Sequence, residues 1–187
     1  MGSRLSMRPW GWLMLWCTVW IAGCAPTKAT VKTIRDTDKG YTIQQLQGNL
    51  LGGSRSYQTG RLYFNLERIE RQDGQITYAL LIEYEGENWL FIERGESLVL
   101  RINGQEQKLK GEGSWRSRDV SEAGYAIERA RYPLTLLDLL RLASAQRVEV
   151  EVIGSQRRVQ GWFTEENFRY LRRFIADYVQ ASEFASP

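Results

Sequence analysis

The sequence contains no histidine, and its two cysteines (Cys17, Cys24) and three methionines (Met1, Met7, Met14) all fall within the first 24 residues. Without histidine, Ser-His-Asp and Cys-His catalysis and histidine-ligated zinc are excluded. No Ser-x-x-Lys spacing occurs, which removes the serine–lysine hydrolases as well. Carboxylates are left as the acid–base groups, and no cofactor or metal site is expected. Strong charge of one sign is also lacking. Arg4 and Arg8 are two of the 25 basic residues, so the chain from Cys24 onward carries 23 basic against 22 acidic side chains. A nearly neutral domain gives nucleic acid no electrostatic footing.

The N-terminus is organised differently from the rest. Arg4 and Arg8 stand without an acidic neighbour before an apolar stretch at 9–23 that contains Trp10, Trp12, Trp16 and Trp20. That stretch is shorter than the roughly 20 residues a helix needs to cross a bilayer. It ends in Ile21-Ala22-Gly23-Cys24. This order, a branched apolar residue and two small residues before cysteine, resembles the lipobox of bacterial lipoprotein precursors. The resemblance implies a signal peptide at 1–23, cleavage before Cys24 and two or three acyl chains on that cysteine. At about 0.8 kcal/mol per buried CH₂, a multi-chain anchor is stable where one chain is marginal. The membrane is then a partner through Cys24, and the mature chain has neither thiol nor disulfide. Ala25 follows, with no aspartate to signal inner-membrane retention in the enterobacterial pattern. By that analogy the expected location is the outer membrane, facing the periplasm; a Gram-positive source would place the protein on the outer face of the cell membrane.

Residues 24–40 are expected to be the lipidated cysteine and a polar tether, with Thr30 to Ile34 open to a second reading as a first strand. Residues 41–187 are expected to form a single α+β domain. Its stretch at 48–60 holds Gly48, Gly52, Gly53 and Gly60 but lacks the Gly-Lys-Ser/Thr ending of a phosphate-binding loop, and it precedes a strand. Leu62, Phe64 and Leu66 then alternate with polar residues, as a half-buried strand requires. Asp73-Gly74 and Asn103-Gly104 mark hairpin turns; a two-residue loop at the latter pairs Arg101 with Glu106 and Leu98 with Leu109. Further strands are expected at 89–92, at 125–132 until Pro133, at 148–152 and at 158–162. Thr135, with Asp138 three residues on, predicts a capped helix that should be largely buried. Thr164 predicts a second, with Phe163 stapled to Phe168 and a stripe of Phe168, Leu171, Phe174, Ile175, Tyr178 and Val179. The fold class that follows is α+β: an antiparallel, hairpin-rich sheet with two helices packed on one face.

Four groups of side chains invite a functional reading. Glu83, Glu85 and Glu87 alternate, and on a strand such residues share a face about 7 Å apart, a spacing that suits paired carboxylates. The pattern fits a charged strand end running into Gly86 better, since no Asp/Asn ladder accompanies it. Glu149 and Glu151 have the same spacing but alternate with Val148 and Val150, the solvent face of an amphipathic strand. Arg169, Arg172 and Arg173 gather on the last helix, where they suit phosphate groups, yet Glu165 and Asp177 lie four residues away and neutralise them. Trp89, Trp115 and Trp162 suit a sugar-binding groove or, more commonly, a core. Trp115, in a polar, glycine-flanked stretch, is the one expected at the surface. The leading expectation is a membrane-tethered, non-enzymatic binding or assembly module with an envelope protein or polymer as partner. The alternatives are a carboxylate-dependent envelope hydrolase built on Glu83 and Glu85, and a periplasmic small-ligand carrier.

Overall fold

The computed structural model describes residues 28–54 and 56–180; the expected signal peptide and the lipobox-like stretch ending at Cys24 lie outside them. Strands β1 (Thr30–Asp36), β2 (Tyr41–Gln47), β3 (Arg61–Arg71), β4 (Ile76–Gly86), β5 (Gly95–Ile102), β6 (Gln105–Gly111), β7 (Arg118–Val120) and β8 (Ala126–Leu134) precede helix α1 (Leu136–Ser144). Strands β9 (Val148–Ile153) and β10 (Arg158–Trp162) and helix α2 (Glu165–Phe174) follow, and α2 runs on as a π-helical segment, Ile175–Gln180. The fold is α+β and mostly antiparallel, as expected, but the strands form two sheets rather than one. The first has the order β1-β2-β3-β4-β8-β7 and the second β10-β9-β5-β6.

Alternation builds the interior. Leu62, Phe64 and Leu66 of β3, Leu80, Ile82 and Tyr84 of β4, and Tyr132 of β8 are buried from the first sheet; Leu98 and Leu100 of β5 and Val148, Val150 and Val152 of β9 are buried from the second. Together with Leu139 and Leu142 of α1 and Phe168, Leu171 and Phe174 of α2 they make one hydrophobic core. Tyr132 ties the sheets directly, its hydroxyl 2.9 Å from Ser97 Oγ on β5. Burial pushes that phenol up to about 12 against the opposing hydrogen bond from Ser97.

Local chemistry sets the turns and caps. Asn103 (φ 51°) and Gly104 (φ 85°) both take the left-handed conformation of a tight hairpin, with Arg101 opposite Glu106 and Leu98 opposite Leu109. Thr135 and Asp138 form the reciprocal capping box of α1, and Thr164 and Asn167 form that of α2. The rings of Phe163 and Phe168 sit 5.1 Å apart, the staple expected at that entry.

Several expectations are corrected. Residues 30–36 are strand, the second of the two readings open for Thr30 to Ile34, and the tether is shorter than expected: β1 pairs with β2 along its whole length, from Thr30 opposite Gln47 to Asp36 opposite Tyr41. Asp36 Oδ1 closes the turn by accepting from the Lys39 amide at 2.9 Å, a bond that holds its carboxyl below the ordinary aspartate value. Strand β8 continues through Pro133 to Leu134. Its short neighbour β7 pairs only with residues 126–128, so at Pro133 a proline without an N–H is tolerated on a locally free side. Helix α1 buries only Leu139 and Leu142, while Leu137 is 66% and Leu140 39% exposed. Six apolar residues around a helix cannot all meet one core face.

Candidate functional site

The outer face of the second sheet carries a groove of about 480 Å³. Antiparallel register brings its side chains together in rows. Trp162 of β10 lies opposite Glu149 of β9, which lies opposite Arg101 of β5; one row along, Gln160 lies opposite Glu151. Arg147 enters from the loop before β9 and donates to Glu149 at 2.5 Å. Glu151 is buried, contrary to the expected solvent face. Long side chains close over it: Arg158 donates at 2.9 Å, Gln160 at 3.4 Å, and Arg101 lies at 3.7 Å.

Trp162 forms one wall and is 53% exposed. Its other side rests on the glycine-rich loop. A Cβ on Gly52 would come within 2.5 Å of the indole Nε1, and one on Gly53 within 2.0 Å of Cζ3, so the ring lies flat across both backbones. Gly52 and Trp162 also exchange backbone hydrogen bonds, N–H to carbonyl, at 2.9 and 3.1 Å. The loop that suggested a nucleotide site only to lack its ending is therefore a flat bed for an aromatic ring. One face of the indole is fixed and the other is presented to solvent.

A second aromatic surface is organised by one buried carboxylate that the sequence did not single out. Glu128 of β8 is completely buried and accepts from the backbone N–H groups of Leu90, Phe91 and Ile92 at 2.5, 2.7 and 2.9 Å. Ser114 Oγ donates to it as well, and the Arg118 guanidinium lies 3.8 Å away. Three successive amides converging on one anion make a nest, which requires a residue of positive φ; Phe91 supplies it at 54°. This is why residues 89–92 do not form the expected strand. Their donors turn to Glu128, and only Ile92 makes an isolated bridge, to Gly154. The same carboxylate pins the segment around Ser114, which holds Trp115 out at 60% exposure with Arg116 stacked 4.2 Å from its ring centroid.

The remaining candidates are engaged by separate partners. Glu83 accepts from Arg129 Nε at 2.6 Å, whereas Glu85 lies 3.5 Å from Arg61 and accepts from the Tyr63 hydroxyl at 3.4 Å. Burial raises the Tyr63 phenol, Arg61 opposes that shift, and the two carboxylates add to it. Glu83 lines a shallow depression with Tyr63 and Arg129, but Glu85 does not border it, and Glu87 is exposed beyond the strand end. Glu83 and Glu85 thus flank Tyr63 on one face of β4, each engaged by its own arginine. Arg169 and Arg173 are paired within the helical segment, with Glu166 at 2.9 Å and Asp177 at 3.4 Å. Arg172 reaches the end of α1 instead, donating to Ala143 O at 2.9 Å and Ala145 O at 3.5 Å, and stacks over Phe168. The three arginines do not converge. Trp162, expected more commonly to fill a core, is at the surface; the alternation of Arg158, Gln160 and Trp162 with Val159 and Gly161 was the signal that could have shown it. Its groove partners, on β5 and β9, left no such signal.

Among the described residues no group of acidic, cysteine or histidine side chains is arranged to hold a metal, and no helix is long and apolar enough to cross a membrane. The chain matches no protein-family model, no curated protein and no solved structure.

Proposed function

We propose that this chain is a lipid-anchored cell-envelope protein that serves as a non-enzymatic binding module, presenting the groove of the second sheet to an envelope partner. The observation that carries the reading is Trp162: a half-exposed indole, fixed from behind by Gly52 and Gly53, at the edge of a polar groove. Interface energy concentrates on such rigid, partly desolvated aromatic anchors. Both helices lie on the core side in this reading, which leaves the outer face of the second sheet open. The engagement of Glu83 by Arg129 and of Glu85 by Arg61 favours binding over hydrolysis.

The anchor rests on Ile21-Ala22-Gly23-Cys24. With β1 starting at Thr30, the tether from Cys24 spans at most about 20 Å, so the domain is held close to its membrane. We assign it to the outer membrane, facing the periplasm. Cys24→Ala is expected to release the protein from the membrane fraction or to leave it unprocessed. Full membrane retention of a processed Cys24→Ala protein would contradict the anchor. For the binding reading, a photo-crosslinking residue placed at Gln160 in the native lipoprotein should trap a discrete envelope component, whereas the same residue at Arg169 should not. Identical adduct patterns at the two positions would sink it.

A further inference from the structure

We infer that the groove beside Trp162 binds an uncharged glycan, with a sugar ring stacked on the exposed face of the indole. The inference rests on the binding-module reading and adds the chemical class of the ligand. The groove has no charge surplus: Arg101, Arg147 and Arg158 are matched by Glu106, Glu149 and Glu151, with contacts of 3.3 Å (Arg101–Glu106), 2.5 Å (Arg147–Glu149) and 2.9 Å (Arg158–Glu151). A polyanion needs a cationic excess that is missing here. Nor does a deep apolar pocket accompany the indole. Val148, Val150 and Phe163 border the groove but bury their side chains on the core side, so an apolar peptide anchor would find one flat ring and no socket.

What the groove offers is a planar apolar surface flanked by planar polar groups. The indole presents one face because Gly52 and Gly53 occupy the other. Gln160, Glu149 and Arg101 stand in adjoining register positions, supplying amide, carboxylate and guanidinium groups that donate and accept. A pyranose has the complementary form: a face of C–H bonds that packs on a ring, and a rim of hydroxyls that both donate and accept. The volume of about 480 Å³ falls in the range of small-molecule sites, roughly 300–1,000 Å³. Pre-organisation adds to the fit, since ordering a free tryptophan on binding would cost affinity.

The test uses the full-length protein, purified in a detergent without a sugar headgroup. Titration calorimetry is run with β-1,4-linked N-acetylglucosamine tetramer, cellotetraose and maltotetraose, and with polyphosphate. Saturable binding of at least one tetrasaccharide is expected, weakened at least about tenfold by Trp162→Ala and retained largely by Trp162→Phe. Trp115→Ala should leave it unchanged. Affinity should vary less than about twofold when salt is raised well beyond physiological strength, because no net charge is neutralised. Since Trp162→Ala removes the ring that covers the glycine loop and so probes folding together with binding, Gln160→Ala is measured in parallel; its side chain bonds Glu151 in the groove, and a loss of about threefold or more is expected. Failure of all three tetrasaccharides to bind, tighter binding of polyphosphate, or loss through Trp115 rather than Trp162 would each overturn the glycan assignment. A proteinaceous adduct at Gln160 with no sugar binding would overturn it too, while leaving the binding module standing.

Discussion

At the scale of single residues, two side chains decide what the surface looks like, and each acts through backbone. Glu128 gathers three amides and a serine hydroxyl, so it replaces strand hydrogen bonds that residues 90–92 would otherwise seek elsewhere. Bonds to a charged acceptor are worth about 1.5–3 kcal/mol each, and an unmet buried donor costs about as much. Glu128→Gln keeps the shape but turns an amide NH₂ toward N–H donors. It should destabilise the protein by about 3 kcal/mol in denaturant melts and loosen the 87–94 loop to proteolysis. A loss under about 0.5 kcal/mol would show that the loop holds its form without the anion. Trp162 is the second case. Gly53→Ala places a methyl where the indole now lies, at a φ of 74° that already disfavours alanine, so the ring must tilt. The expected result is a changed tryptophan emission and a cost of about 1–2 kcal/mol.

At the scale of elements, the helices are defined by their ends more than by their length. The reciprocal Thr135–Asp138 box starts α1, and Asp138 also accepts from Gln107 at 2.9 Å. Burial alone would raise the Asp138 carboxyl. Bonds from the Thr135 hydroxyl, from Gln107 and from the Thr135 amide outweigh it and hold the group below 3.8. A carboxyl depressed in the folded state binds fewer protons there than when unfolded, so its stabilisation is present above that value and fades as pH falls below it. Thr135→Ala should cost about 1 kcal/mol at neutral pH, and the difference from wild type should shrink below about pH 3.5. A pH-independent difference would place the effect elsewhere. The far end of α1 depends on Arg172, whose guanidinium meets carbonyls of residues 143 and 145. Arg172→Ala is therefore expected to cost about 1 kcal/mol, and Arg169→Ala, which loses an exposed ion pair with Glu166 and a surface contact with the Tyr170 ring, under about 0.5 kcal/mol. Thermal melts of the pair discriminate a tie between helices from a solvated charge.

At the scale of the whole molecule, one core joins both sheets and both helices. Phe168 packs edge-on against Phe163, which in turn meets Phe64 of β3 edge-on at 4.7 Å, so the last helix is bound into the first sheet through three rings. Phe168→Ala should cost about 3–5 kcal/mol, a large part of the 5–15 kcal/mol typical of a domain. A variant as stable as wild type would mean that α2 is a detachable arm. The core also holds tyrosines neutral. Burial raises the phenols of Tyr63, Tyr84 and Tyr132, the last to about 12. Unfolded tyrosine ionises near 10, so above that pH the unfolded chain sheds protons that the folded one keeps, and stability falls. Melting temperature should therefore drop from about pH 10 upward, less steeply in Tyr132→Phe, which has one such proton fewer.

Local chemistry was legible without coordinates wherever it acts over a few residues. Asn103-Gly104 dictated its turn and hence the register of β5 on β6, Thr135 and Thr164 their helix starts, and Leu62, Phe64 and Leu66 their buried face, because φ/ψ preference, capping and period-two alternation are properties of neighbours in the chain. Three features required the tertiary structure. Whether Thr30 to Ile34 was tether or strand depended on β2 lying beside it. The departure of 89–92 from strand geometry depended on a carboxylate some 36–38 residues away. The groove depended on β10, β9 and β5 lining up side chains from positions 101, 149, 151, 160 and 162, over a loop at 52–53. Pairing partners distant in sequence are chosen by the burial of whole faces, and no local preference of Trp162 or Glu128 encodes which backbone will lie beneath it.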